Sequence, residues 1–209
     1  MRFSHKVAIV TGAGCVGVGW GNGRAIALRL AEEGAMVLAV DREAARLEET
    51  LQRSAEARAS MRPFICDVTD SAGVAAMAAA CIEAFGTIDI LINNVGGSAP
   101  GGPVEMTEDV WDTQVDVNLK SVFLTCKHVL PTMLAHRTGA IVNIVSTSGQ
   151  RWTDSAQVAY AATKAGVIQL GRVVAVQHAA QGVRVNTVVP RPTAHADGRS
   201  AARAVARRR

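Results

Sequence analysis

The sequence predicts an α/β fold: a doubly wound parallel sheet in three α/β/α layers. Three observations predict it. Short apolar runs alternate with longer helix-patterned stretches between residues 7 and 189. The runs are apolar throughout, as in strands covered on both faces. Clusters of Gly, Asn, Asp and Ser fall just after these runs, at the carboxyl ends where such sheets bind ligands. Right-handed crossovers between parallel strands then put helices on both sides.

Residues 7–11 form the first strand and end in glycines. Residues 24–33 are helical in pattern and stop at Gly34, a good C-cap. A second strand over 36–40 is closed by Asp41, and an alanine-rich polar helix covers 43–58. A third strand over 63–66 leads into Asp67. The helix over 71–85 is capped near Asp70 or Ser71. A fourth strand over 88–92 precedes the Gly/Pro-rich loop 96–103. Residues 107–136 hold two helical stretches and 140–145 a fifth strand. A long helix over 156–181 and a sixth strand over 183–189 complete the pattern. Residues 1–190 therefore read as one domain.

Composition agrees. Hydrophobic residues make up 49% of the 209 and charged residues 19%, a globular balance. No apolar run reaches the roughly 18–20 residues of a membrane span, and the start lacks a signal-peptide pattern, so a cytoplasmic protein is expected. Cys15, Cys66, Cys81 and Cys126 form no Cys-x-x-Cys pair, which predicts buried free thiols and no metal. The net charge of +4 is misleading. Residues 191–209 hold six arginines and one acid, which leaves −1 for residues 1–190. The basic character belongs to the tail, and a nucleic-acid partner is not expected.

Thr11 to Gly23 reads TGAGCVGVGWGNG, with six glycines in thirteen residues, between the first strand and the first helix. Glycines let the backbone approach a pyrophosphate, and a helix N-terminus favours its charge. The pattern reads as a Rossmann-type phosphate loop, with a plain flexible connector as the alternative. Asp41 stands where an acid accepts hydrogen bonds from an adenosine ribose, which favours NAD, or it caps the next helix. Arg42 follows and keeps NADP open.

Several motifs together resemble the short-chain dehydrogenase/reductase family. Thr11-Gly12 and Gly21-Asn22-Gly23-Arg24 look like the two ends of its TGxxxGxG loop, with five extra residues between them. Asp67-Val68 resembles its adenine-contacting pair, and Asn93-Asn94-Val95-Gly96 its NNAG motif. Asn118 sits in VNLKSVF and Ser146 in IVNIVSTSG. Tyr160-Ala161-Ala162-Thr163-Lys164 matches YxxxK. A lysine would follow the single tyrosine at this spacing by chance in about 2% of placements. The resemblance spans residues 6–190.

It implies an NAD- or NADP-dependent oxidoreductase that moves hydride between the nicotinamide and a secondary alcohol or ketone. Gly12, Gly21, Gly23, Asp41, Asp67, Val68, Asn94, Gly96, Tyr160, Lys164 and Pro190 would bind the cofactor. Tyr160 would be the acid/base. A free phenol titrates near 10, and a cation one helical turn away favours the phenolate. Lys164, at i+4, lies on the same helix face. Ser146 would hold the substrate oxygen, and Asn118 a water linking Lys164 to solvent. A 3-oxoacyl-carrier reductase and a sugar or steroid dehydrogenase are both open. Family members are often dimers or tetramers joined by the long helices, so a homo-oligomer is expected.

The end departs from the family. Pro190 is followed by Arg191 and an Arg/Ala-rich stretch, where a PG motif, a substrate-covering segment and a seventh strand are expected. Residues 191–209 read as a non-native or disordered tail. Shifting possible codons by one base restores a family-like PGxLHTPMV, which points to a frameshift. The alternative function is then a truncated, non-catalytic cofactor-binding remnant.

Overall fold

The computed structural model describes residues 1–190 apart from Val18 and Arg58; the tail 191–209, with its expected disorder and missing strand, lies outside the described residues. Strand β1 (Val7–Thr11) is buried along its whole length. Val7 and Ile9 enter one core cluster, Ala8 and Val10 another, so the strand feeds a core on each face. Helices α1 (Asn22–Glu32) and α2 (Ala44–Glu56) close the second core through Ala27, Leu30 and Leu47. Helices α3 (Ser71–Phe85), α5 (Ser121–Ala135) and α6 (Val158–His178) close the first through Met77, Val129 and Val167.

The strands are β1, β2 (Met36–Asp41), β3 (Met61–Ile65), β4 (Ile90–Asn93), β5 (Gly139–Ile144) and β6 (Val183–Val188). All pairings are parallel, in the order β3-β2-β1-β4-β5-β6. This is the expected three-layer, doubly wound sheet, with six strands among the described residues. The strand order reverses between β1 and β4, and the crevice above their carboxyl ends is where such a sheet takes a ligand.

Several boundaries differ from expectation. β3 begins at Met61, opposite Val37, and ends before Cys66. Pro63 is tolerated there because β3 is an edge strand. β4 begins at Ile90, because the Asp89 carboxylate instead receives the Val7 amide at 2.9 Å. α1 starts two residues early, at Asn22, and α2 starts at Ala44. Burial on both faces holds for β1, β2 and β4; one face of β5 is half-buried, and at the edges Arg62, Pro63 and Ile65 of β3 and Arg184, Asn186 and Val188 of β6 are exposed. Asp70 caps α3, accepting from the amides of Ala72 and Gly73 at 3.1 and 2.9 Å. The helical run over 107–136 is continuous: α4 (Glu108–Val115), a π-turn over Asp116–Lys120, then α5.

Cys66, Cys81 and Cys126 are buried free thiols as expected, and burial pushes the latter two up to about 12. Cys15 is the exception, half-buried in the glycine loop. Among the described residues no group of side chains could hold a metal, and no helix is long and apolar enough to cross a membrane.

Candidate active site

The turn after β1 is built by two backbones in contact. Gly12 has φ +64°, and a Cβ on Gly23 would stand 1.8 Å from the Gly12 carbonyl oxygen. Asn94 braces the turn from β4: its Nδ2 donates to the carbonyls of Thr11 and Gly12 at 3.3 and 3.1 Å. Gly21 is the N-cap of α1 in ordinary extended geometry, and its nearest neighbour would be Cys15 Sγ at 3.4 Å. Gly17 and Gly19 meet nothing within 4 Å among the described residues. The packed glycines are thus Gly12 and Gly23, and Gly17 and Gly19 stand outside that turn. The first turn of α1 carries no acidic residue, and its leading amides have no intrahelical partner.

Sequence reasoning missed Gly14. A Cβ there would lie 2.6 Å from Arg46 Cβ and 2.8 Å from Asp41 Oδ2, and its amide donates to that oxygen at 3.2 Å. Asp41 is buried, and its other oxygen accepts from the Glu43 amide at 3.3 Å. It therefore organises both the glycine loop and the entry to α2. Arg42 and Arg46 both pair with Glu43, at 3.3 and 2.7 Å.

Two of the motif residues converge on Gly96. A Cβ on Gly96 would meet Lys164 Nζ at 2.7 Å and Asn118 Oδ1 at 2.9 Å. The π-turn adds a residue to the helix and turns Asn118 fully inward. Its amide bonds the Gly97 backbone twice, N–H to Oδ1 and Nδ2 to C=O, both at 2.9 Å. Gln114, buried one turn earlier, accepts from Asn118 Nδ2 at 3.1 Å. The Asn118 side chain is thus engaged by Gly97 and Gln114.

Lys164 is 3% exposed and donates to the Ile144 carbonyl at 3.2 Å. Burial pulls its pKa down to about 8. Its Nζ lies 5.7 Å from the centre of the Tyr160 ring, one turn earlier on α6. Ser146 caps the 3₁₀ turn Thr147–Gly149 after β5, accepting from the Ser148 amide at 3.2 Å. Its hydroxyl also meets Ser148 Oγ at 3.4 Å, and Gln157 Nε2 donates to Ser148 Oγ at 2.9 Å. Gly149 is a second missed residue: a Cβ there would stand 2.8 Å from the Ala165 amide, so only glycine lets this turn dock beside Lys164.

Other expected residues stand apart from this centre. Asp67 Oδ1 accepts from the amide and hydroxyl of Thr69 at 2.9 and 2.8 Å, which lowers its pKa. Val68 is core, 4% exposed. Pro190, half-buried, follows β6. The loop over 96–103 is tied to the start of α6, with Gly101 N–H donating to Ala156 C=O at 2.9 Å and Val158 N–H to Gly101 C=O at 3.1 Å.

The family model for short chain dehydrogenases matches residues 6–204. The chain belongs to that family. D-threitol dehydrogenase of Mycolicibacterium smegmatis is 40% identical over 189 residues, which cover 90% of this chain and 70% of that protein. A crystal structure of a Burkholderia xenovorans protein described as a short-chain dehydrogenase/reductase is 58% identical, with TM-score 0.90, over 91% of this chain and 73% of that one. The structure of an NAD⁺-bound xylitol dehydrogenase matches at 33% identity and TM-score 0.84, over 91% of this chain and 72% of that one. This short-chain dehydrogenase chain is an oxidoreductase on an α/β sheet, as its sequence predicts.

Proposed function

We propose that the chain is a nicotinamide-dependent dehydrogenase acting on a secondary alcohol or its ketone, with Tyr160 as acid/base. The observation that carries this is the convergence of Lys164 and Asn118 on Gly96, beside the glycine turn. The residues present fit the cofactor. The close packing of Gly12 against Gly23 sets the turn before α1, and the free amides of α1 and its capless N-terminus at Gly21 suit a diphosphate. Asp41, Asp67, Val68, Asn94, Gly96, Tyr160, Lys164 and Pro190 would complete the site. The bound nicotinamide supplies or accepts the hydride.

The remaining chemistry belongs to the chain. Tyr160 gives its phenolic proton to the carbonyl oxygen during reduction and takes it back during oxidation. The Lys164 ammonium, desolvated on α6, favours the phenolate left behind. Ser146 donates to the substrate oxygen and holds it in line. Asn118, locked by Gly97 and Gln114, shares with Lys164 the space left open at Gly96.

NAD is favoured over NADP. A 2′-phosphate would meet the Asp41 carboxylate, and Arg42 and Arg46 are already drawn to Glu43. D-threitol and xylitol, named in two relatives, are the first substrates to test. A homo-oligomer is supported by the exposed Phe123 of α5 and Val173 and Val176 of α6. Kinship with D-threitol and xylitol dehydrogenases does not favour the non-catalytic remnant.

Fluorescence titration with NADH and NADPH, followed by turnover with a panel of polyols and ketones, tests the reading. Saturable binding with NADH preferred, and turnover of at least one alcohol, is expected. Binding of neither cofactor would overturn it.

A further inference from the structure

The glycine loop is five residues longer than its family pattern requires, and the structure shows what holds Ala13, Gly19 and Trp20 within it. Arg24, in the first turn of α1, is 2% exposed. A cation is disfavoured at a helix N-terminus and costly to bury unpaired. Its donor groups are taken up by acceptors of α2 and of the glycine loop. Nε donates to Thr50 Oγ1 at 3.0 Å, Nη2 reaches the Arg46 carbonyl at 3.5 Å, and Nη1 bonds both the Gly19 carbonyl and the Glu49 carboxylate. Thr50 passes the connection on, donating to the Ala13 carbonyl at 3.0 Å.

Glu49 is the hub. Its Oε1 also takes Arg53 Nε and Nη2 at 3.0 and 2.7 Å, and the Arg53 guanidinium lies 4.9 Å from the Trp20 ring centre. Both feet of the long loop are thereby fastened to α2: Ala13 through Thr50, Gly19 and Trp20 through Arg24 and Arg53.

We infer that Arg24, paired with Glu49, is a positioning residue for the cofactor's diphosphate, fastening the extended glycine loop so that the Gly12–Gly23 turn is formed before the ligand arrives. The inference rests on the nicotinamide-dependent reading above. Arg24 is not itself the anion's ligand, because its donors are spent inside the protein. Fastening acts on the phosphate end of the site, remote from Tyr160 and Lys164.

The test titrates ADP, NADH and NADPH into the wild type and into Arg24→Met, Arg24→Lys and Glu49→Gln, with steady-state kinetics alongside. ADP carries the diphosphate without the nicotinamide. Arg24→Met is expected to weaken ADP and dinucleotide binding alike by about tenfold or more, with kcat at saturating cofactor changed by less than about threefold. Arg24→Lys and Glu49→Gln fall between, and they carry the test if Arg24→Met does not fold. Unchanged ADP affinity in the folded variants, or a fall in kcat with KM unmoved, would overturn the latch while leaving the dehydrogenase standing. A wild type that binds no dinucleotide would overturn both.

Discussion

Lys164 Nζ and Asn118 Oδ1 meet in the space that Gly96 leaves open, 2.7 and 2.9 Å from where its Cβ would be. Lysine and asparagine come from different helical segments, α6 and the π-turn before α5, and only a glycine in the loop after β4 lets both reach the same point. Gly96→Ala is expected to displace both while costing about 1–3 kcal/mol in overpacking. Turnover should fall by about a hundredfold, with the far-ultraviolet circular dichroism of the fold retained. A Gly96→Ala enzyme with wild-type turnover would show that the convergence is incidental.

Two neighbouring glycines should respond differently. Gly23 has no room for a methyl group against the Gly12 carbonyl, whereas Gly21 has ordinary φ and ordinary contacts. Gly23→Ala is expected to lower stability by about 3 kcal/mol or more, and Gly21→Ala by less than about 1 kcal/mol. Urea denaturation of the two variants checks this; equal losses would contradict the assignment of the packed turn to Gly12 and Gly23.

Lys164 makes stability depend on pH in a defined direction. Burial lowers its pKa from 10.5 to about 8. Between those values the unfolded chain holds a proton that the native chain has released, so this residue's contribution to stability rises with pH across the window. Lys164→Met removes the rise. The stability difference between wild type and variant should shift toward the wild type by on the order of 2–3 kcal/mol between pH 7.5 and 10.5. A difference that does not change over that range would contradict the burial of a titrating ammonium.

Asp41 tests cofactor choice. Asp41→Asn keeps an oxygen for the Gly14 amide but removes the charge that a 2′-phosphate would meet. NADPH use relative to NADH should rise by roughly tenfold. An unchanged ratio would place selectivity elsewhere.

Much of this was legible in the chain. Parallel strands buried on both faces declare themselves as continuous apolar runs, Tyr160 and Lys164 stand out by type and spacing, and the family resemblance adds Ser146 and Asn118. What the sequence hid depends on close approach in three dimensions. Gly14 and Gly149 look like any loop glycines until Arg46 and Ala165 are seen against them. Nothing in the sequence marks Gln114 and Arg24 as buried, yet Asn118 and Glu49 hold them inside. The π-turn has no local composition signal, because the extra residue is accommodated by the packing of Asn118 rather than by a breaker. The edge strands also defied the pattern, since periodicity cannot tell which strand lies outermost.

All of the proposed chemistry turns on Tyr160 moving the proton. Single-turnover oxidation of an alcohol substrate by the wild type and by Tyr160→Phe, each preloaded with NAD, decides whether it does. Tyr160→Phe is expected to bind NADH with an affinity within about threefold of the wild type but to form it from substrate at least about a thousandfold more slowly. NADH formation at the wild-type rate by Tyr160→Phe would contradict the assignment.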